Sequence, residues 1–277
     1  MTDARPLTAG VMGWPITHSK SPLIFAHWFQ QAGLNGRYCH LAVAEADFET
    51  VVSALPKAGF RGVNVTVPHK LSALEIADEA TPTARAMGAA NVLTFSPEVG
   101  VIADNTDGYG FLENLKKGAP AWKSDTSPTV VLGAGGAARA VIHALLADGV
   151  SSIRLLNRSA EKAQALANDL PGPIDVIPWT DRSDALEGAG LLVNATSLGM
   201  TGKPPLEISL GALPKSAIVT DLVYAPLETD LLAQARANAN PIVDGLGMLL
   251  HQARPAFRAW FGIDPVVDAA LREICLK

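Results

Sequence analysis

The segment His18-Ser19-Lys20-Ser21-Pro22 sets two hydroxyls two residues apart, just before an apolar stretch containing Leu23, Ile24, Trp28 and Phe29. Ser21 followed by Pro22 suits a helix N-cap with proline at the first helical position, which leaves Ser19 as a second hydroxyl. Such a pair beside a helix N-terminus suits a small anion, a carboxylate for example. Gly62-Val63-Asn64-Val65-Thr66-Val67-Pro68-His69-Lys70 reads as a strand running into a helix whose start is marked by Pro68. Lys70 then falls in the first helical turn, where the helix dipole disfavours a cation. A lysine so placed suits acid–base work near neutral pH; as ordinary structure it is a solvated surface side chain. Asn91 follows Gly88-Ala89-Ala90, and Asn105-Thr106-Asp107-Gly108 precedes a helix that Asp107 could simply cap. Ser, Thr, Lys, Asn and Asp thus stand at strand ends or helix starts, where α/β sheets build their sites.

A second group suits a dinucleotide. Gly133-Ala134-Gly135-Gly136-Ala137-Ala138 follows a predicted strand and opens a predicted helix. The chemistry needs a tight turn, then backbone that a pyrophosphate can approach, then close packing of helix on strand. The next strand ends in Asn157-Arg158-Ser159, with Lys162 beyond, and carries no carboxylate where an NAD enzyme usually places one for the ribose 2′-hydroxyl. Arg158 can stack on adenine and pair with a 2′-phosphate, and Ser159 adds a hydroxyl or a helix cap. NADP is therefore expected. Asn194-Ala195-Thr196-Ser197-Leu198-Gly199-Met200 follows an apolar strand and suits the rim of a cofactor crevice, as it would suit any loop.

The elements that must position these residues alternate as short strands and longer helices, the pattern of an α/β protein with mainly parallel strands. Strands are predicted at 7–13, 38–43, 61–67, 91–95 and 100–104, and helices at 22–33, 46–58, 69–77 and 108–117. Lys116 to Pro128 reads as a linker or loop. A doubly wound nucleotide-binding unit follows, with strands at 129–132, 153–156, 174–177, 190–194, 217–221 and 241–243. In a last helix, 246–262, Leu246, Leu249, Leu250, Ala253, Phe257, Trp260 and Phe261 form one apolar stripe. Met248 and Gln252 lie off that stripe, facing either solvent or a cleft between domains.

Bulk properties narrow the function classes. The 277 residues suffice for two modest domains, with 48% hydrophobic and 18% charged residues. A net charge of -5 without clustered Lys or Arg argues against a nucleic-acid surface. The first twenty residues lack a cationic start followed by an apolar stretch, and no apolar run suits a membrane span. Neither a signal peptide nor membrane association is expected. Cys39 and Cys275 are far apart and the six histidines are scattered, so neither disulfides nor a metal are expected, and a reducing cytoplasm fits.

The succession Ser-Lys-Ser-Pro, Asn-Val-Thr-Val-Pro-x-Lys, Gly-Ala-x-Asn, Asn-Thr-Asp-Gly, Gly-Ala-Gly-Gly-Ala, Asn-Arg-Ser, Asn-Ala-Thr-Ser and Gly-Met-Leu-x-x-Gln resembles the shikimate dehydrogenase family over residues 11 to about 260. The resemblance implies an N-terminal α/β substrate domain (1–108, completed by 246–277) and a Rossmann-type NADP domain (109–245), with a cleft between them. It implies a cytoplasmic oxidoreductase of aromatic amino-acid (chorismate) biosynthesis, working as a monomer or homodimer. The reaction would be reversible NADPH-dependent reduction of 3-dehydroshikimate to shikimate. By that resemblance Lys70 and Asp107 are the catalytic pair, and Ser19 and Ser21 hold the substrate carboxylate. Thr66, Asn91 and Gln252 bind its hydroxyls, and Tyr224 faces it. Gly133, Ala134, Gly135, Gly136, Ala137, Ala138, Asn157, Arg158, Ser159 and Lys162 bind NADP, with Thr196, Gly245 and Met248 nearer the ribose and nicotinamide. Two positions depart from the family pattern. His69 stands where an aromatic is frequent, and Lys162 stands where many members carry a second arginine. Two alternatives stay open: a quinate/shikimate dehydrogenase of broader substrate or cofactor use, and a catalytically silent dinucleotide-binding regulator on the same fold.

Overall fold

The computed structural model describes residues 6–124 and 127–277, and the chain divides into two compact units. The first holds the described residues up to Thr106 together with Gln252–Lys277; the second is Asp107–His251.

The first unit is built on a six-stranded mixed sheet. Its strands are β1 (Leu7–Gly13), β2 (Gly36–Ala42), β3 (Phe60–Val65), β4 (Glu79–Ala80), β5 (Val92–Ser96) and β6 (Gly100–Asp104), in the order β2-β1-β3-β5-β6-β4. β1 pairs in parallel with β2 and β3, whereas β5 runs antiparallel to both β3 and β6. The parallel expectation fails at β5 because only three residues separate it from β6, a connection that allows a hairpin and no crossover. The helices are α1 (Ser21–Gln31), α2 (Phe48–Ala54), α3 (Lys70–Glu75) and α4 (Pro82–Met87). Neither β4 nor α4 was expected; Thr81 caps α4 by accepting from the Ala84 N–H at 3.1 Å. Met12, Val63, Val65, Leu93 and Ala103 form the core on one side of the sheet with Phe48 and Val52 of α2.

The second unit opens with α5 (Asp107–Gly118), so the first three residues of the expected 116–128 loop finish a helix. Residues 125 and 126 of that loop lie outside the described part. Its strands are β7 (Thr129–Leu132), β8 (Ile153–Leu156), β9 (Ile174–Ile177), β10 (Leu191–Asn194), β11 (Ile218–Asp221) and β12 (Ile242–Val243). They form an all-parallel sheet in the order β12-β11-β10-β7-β8-β9. The chain reverses its direction of winding between β7 and β10, the place where a doubly wound sheet binds its ligand. The runs Thr129–Leu132 and Leu191–Asn194 are buried throughout, as central parallel strands covered on both faces must be. The connecting helices include α6 (Gly136–Ala147), α7 (Ala160–Asp169) and α8 (Asp230–Ala237), the last unexpected.

The helix α9 (Leu246–Phe261) carries the boundary between the units within its length, and α10 (Ala269–Leu276) ends the chain. In the first unit, Phe257 of α9 packs on Phe25, Trp28 and Phe29 of α1 with ring centroids 5.4–5.6 Å apart. Trp260 lies across Gly62 of β3, where any side chain would collide with the indole, and donates from Nε1 to Thr94 Oγ1 at 3.0 Å.

Candidate active site

In the first unit, hydroxyl and amide side chains form a group of hydrogen bonds. Ser19 donates to Ser21 Oγ at 3.2 Å, and Ser21 lies beside Tyr38. Tyr38 donates to Asn64 Oδ1 at 2.7 Å, and Asn64 Nδ2 donates to the Asn91 carbonyl at 3.3 Å. Asn91 Nδ2 in turn donates to Gln252 Oε1 at 3.3 Å, while its Oδ1 accepts from the Thr106 N–H at 2.8 Å. The Thr106 hydroxyl donates to the Gln252 carbonyl at 2.8 Å. Asn91 and Gln252, far apart in sequence, are thereby joined, and Ser19 is joined to Ser21. Burial pushes the Tyr38 phenol well above its ordinary range, against the smaller opposing effect of Ser21, and Tyr38 stays a neutral donor.

The expectation that Ser21 caps α1 is corrected. Lys20 occupies that place with helical angles (φ −85°, ψ −3°) and no side chain caps the helix; Ser21 is the first helical residue. The hydroxyl of Ser21 accepts from Ser19 instead.

Thr66 follows β3, its N–H donating to the Met12 carbonyl at 2.9 Å and its own carbonyl accepting from the His69 N–H at 3.0 Å. His69 is buried, stacks on Phe48 at 4.6 Å between centroids, and donates from Nε2 to the Val43 carbonyl at 2.8 Å. A histidine therefore fills an aromatic place here and adds a hydrogen bond that phenylalanine could not make. That turn delivers Lys70, half-buried, as the first residue of α3, with its carbonyl accepting from the Ala90 N–H at 2.8 Å.

In the second unit Asp107 opens α5, within one residue of its expected capping place. A cavity of about 220 Å³ lies at the carboxyl ends of the strands, lined by Gly133, Ala134 and Gly135 after β7, Asn157 and Arg158 after β8, Trp179 after β9, and Ala195 to Leu198 after β10. Gly133 has φ +110°, and a Cβ there would stand 2.9 Å from the Ala195 carbonyl, so the turn admits only glycine. At Gly135 and Gly136 a Cβ would meet nothing within 4 Å. Gly135 is the N-cap of α6, so this open backbone lies at the positive end of a helix dipole, where a pyrophosphate fits. Ala137 and Ala138 continue the first turn of α6, Ala138 fully buried.

Arg158 is exposed at the cavity and Lys162 is exposed in the first turn of α7. Ser159 caps α7, accepting from the Lys162 N–H at 3.3 Å, and its hydroxyl donates to Glu161 at 2.8 Å. The Glu161 carboxyl is held below its ordinary range by its own backbone N–H and then by Ser159. An acidic group thus stands beside the 2′-phosphate candidates, engaging the very hydroxyl that was expected to serve them.

Thr196 is fixed by Asn194, whose Oδ1 accepts from the Thr196 N–H at 3.1 Å and hydroxyl at 2.7 Å. Asn194 Nδ2 donates to the Leu198 carbonyl at 3.2 Å and to Asp221 Oδ1 at 2.9 Å. Gly245 packs so closely on the Leu222 carbonyl that a side chain would collide with it. Tyr224 and Met248 are half-buried. Tyr38, Asn64, Asp221 and Trp179 were missed by sequence reasoning, and Thr106 and Asn194 entered it only inside their motifs; a lone Asn in the buried run Val63-Asn64-Val65 was a legible signal for the first group. No group of three His, Cys, Asp or Glu able to hold a metal occurs among the described residues.

A doubly wound sheet with a glycine turn at its switch point, joined to a unit rich in neutral hydrogen-bonding groups, defines a two-domain α/β oxidoreductase that uses a dinucleotide. Three family models match: the shikimate dehydrogenase substrate binding domain over 11–93, shikimate / quinate 5-dehydrogenase over 116–200, and the shikimate 5′-dehydrogenase C-terminal domain over 245–274. Shikimate dehydrogenase (NADP+) of Paramagnetospirillum magneticum is 53% identical over 97% of this chain and 98% of its own. The structure of the Thermus thermophilus shikimate 5-dehydrogenase in complex with NADP(H) and shikimate superimposes with TM-score 0.85 at 35% identity, covering 97% and 98% of the two chains. Quinate dehydrogenase from Corynebacterium glutamicum in complex with NAD gives 0.90 at 31% identity, covering 98% and 99%. The chain belongs to the shikimate dehydrogenase family, and it is an NADP-dependent oxidoreductase.

Proposed function

We propose that this chain reversibly reduces 3-dehydroshikimate to shikimate with Lys70 and Asp107 as the catalytic pair. The observation that carries the reading is the set of hydrogen bonds that joins Ser19 to Ser21, Tyr38 to Asn64 and on to Asn91, and Asn91 to Gln252. Neutral hydroxyls and amides in series suit a small ring bearing several hydroxyls and one carboxylate, and discriminate against analogues that lack them. Ser19 and Ser21 receive the carboxylate, Thr66, Asn91 and Gln252 the ring hydroxyls, and Tyr224 faces the ring. Gly133–Ala138, Asn157, Arg158, Ser159, Lys162, Thr196, Gly245 and Met248 hold NADP. The chemistry that NADP(H) supplies when bound is transfer of a hydride to the ketone carbon. Lys70 donates a proton to the carbonyl oxygen and offsets the charge developing there. Asp107 orients the Lys70 ammonium and the same oxygen. In the reverse direction Lys70 takes the hydroxyl proton.

The cavity's Arg158, with no acid at the end of β8, favours NADP over NAD. Cys39 and Cys275 are free thiols, as suits a reducing cytoplasm, and no described helix is long and apolar enough to cross a membrane. Following NADPH absorbance with shikimate and quinate against NADP and NAD tests the reading. Turnover with shikimate and NADP well above the other pairs supports it. Preference for quinate transfers the site to the broader dehydrogenase, and binding without turnover transfers it to a silent regulator.

A further inference from the structure

Beyond the residues so far given to the cofactor, we propose that Trp179 is the wall on which the adenine of the dinucleotide stacks, a role that rests on the NADP reading of the cavity. Trp179 stands in the turn after β9 and lines the cavity together with Arg158 and the glycine turn. The placement follows from the strand order. A pyrophosphate at the turn after β7 puts the adjoining ribose near the end of β8. The base then extends toward β9, the next strand, about 4.8 Å further on. Among the described residues Trp179 is the one aromatic side chain lining that cavity, and a planar base finds its natural partner there.

The indole is held before any ligand arrives. The Arg182 guanidinium lies over its ring at 5.4 Å from the centroid and donates from Nη1 to the Trp179 carbonyl at 3.1 Å. Trp179 also packs against the apolar cluster that includes Leu156, Leu186 and Leu206. A ring fixed in this way loses little rotational freedom on stacking. Arg158 and Trp179 then divide the work: the cation reads the 2′-phosphate, and the indole reads the base that NADP and NAD share.

The test measures competitive inhibition by adenosine 2′,5′-bisphosphate and the Kd of NADP and NAD for Trp179→Ala, Trp179→Leu and Trp179→Phe. Trp179→Leu keeps apolar contact with the cluster, so it serves where the alanine variant fails to fold. We expect Trp179→Ala and Trp179→Leu to weaken all three ligands by about tenfold, and Trp179→Phe to restore most of the loss. Rate supported by reduced nicotinamide mononucleotide, which has no adenine, stays at the wild-type value. Unchanged affinity in Trp179→Leu overturns the proposal. So does a loss confined to NADP, or an equal loss with the mononucleotide. Inhibitor and cofactor binding need no shikimate turnover, so failure of the substrate reading is seen separately.

Discussion

Asn194 and Asp221, the last residues of the neighbouring strands β10 and β11, are both buried and are joined by an Asn194 Nδ2 to Asp221 Oδ1 hydrogen bond of 2.9 Å. Asn194 holds the Thr196 loop, and Asp221 holds the next one by accepting from the Val223 N–H at 2.9 Å and the Thr229 hydroxyl at 2.7 Å. Two loops of the second unit are thereby set by one buried pair at the ends of its strands.

Burial raises the Asp221 carboxyl above its ordinary range, outweighing the lowering by Thr229, Val223 and Asn194. The folded protein therefore binds this proton more tightly than the unfolded chain does. The associated stabilisation is complete below the unfolded pKa of about 3.9 and is lost as pH rises through the raised folded value. Asp221→Asn removes the titration and keeps the shape. The melting temperature of the wild type, minus that of the variant, falls as pH rises from the ordinary carboxylate range toward neutrality. A difference that is flat with pH, or grows, would sink the assignment.

Arg158→Ala weakens NADP binding about ten- to a hundredfold and NAD binding far less, because one charge-assisted bond to the 2′-phosphate is lost. Titration of both cofactors measures it. Equal losses would leave Arg158 a stacking or structural residue.

Ser19→Ala raises KM for shikimate about tenfold and leaves the Kd of NADP unchanged. Tyr38→Phe also costs stability, about 1–3 kcal/mol, because it leaves the buried Asn64 Oδ1 without its donor. Shikimate kinetics at wild-type values in Ser19→Ala would remove the carboxylate assignment.

Lys70→Met keeps the packing of the stem and removes only the ammonium. Turnover falls by ~10²–10⁴ while substrate affinity stays within about tenfold. Asp107→Asn also lowers turnover, and the double variant is little worse than the worse single one when the two act as a unit. Turnover and melting temperature are measured on the same preparations. Lys70→Met with wild-type turnover, altered only in melting temperature, would return Lys70 to the surface.

What was legible in the sequence was what backbone geometry dictates. The turn at Gly133 needs a positive φ, and the strands flanking it are short and apolar, the pattern of a doubly wound unit. Illegible was what neighbouring strands bring together. Tyr38 reaches Asn64 across β1, the strand between theirs, at a separation of 26 residues. The capping assignment of Ser21 failed because the helix begins one residue earlier than local rules place it, with Lys20 at the cap and the Ser21 hydroxyl bonded to Ser19. Trp179, in the turn after β9, carries no local sign of a site until the sheet order places it at the cavity. The short elements β4 and α4 carried a start signal in Thr81-Pro82, yet their two and six residues give too little periodicity to read.

The open space over Gly135 and Gly136 separates two kinds of requirement that usually coincide. At Gly133 the fold itself forbids a side chain, so a change there is felt with or without a ligand. At Gly135, with φ −93° and nothing within reach of a Cβ, the polypeptide is indifferent to a methyl group. On the NADP reading proposed above, the glycine answers to a guest rather than to its own neighbours. A survey of folding stability would pass over these two positions in silence, and only a survey of nucleotide affinity would hear them.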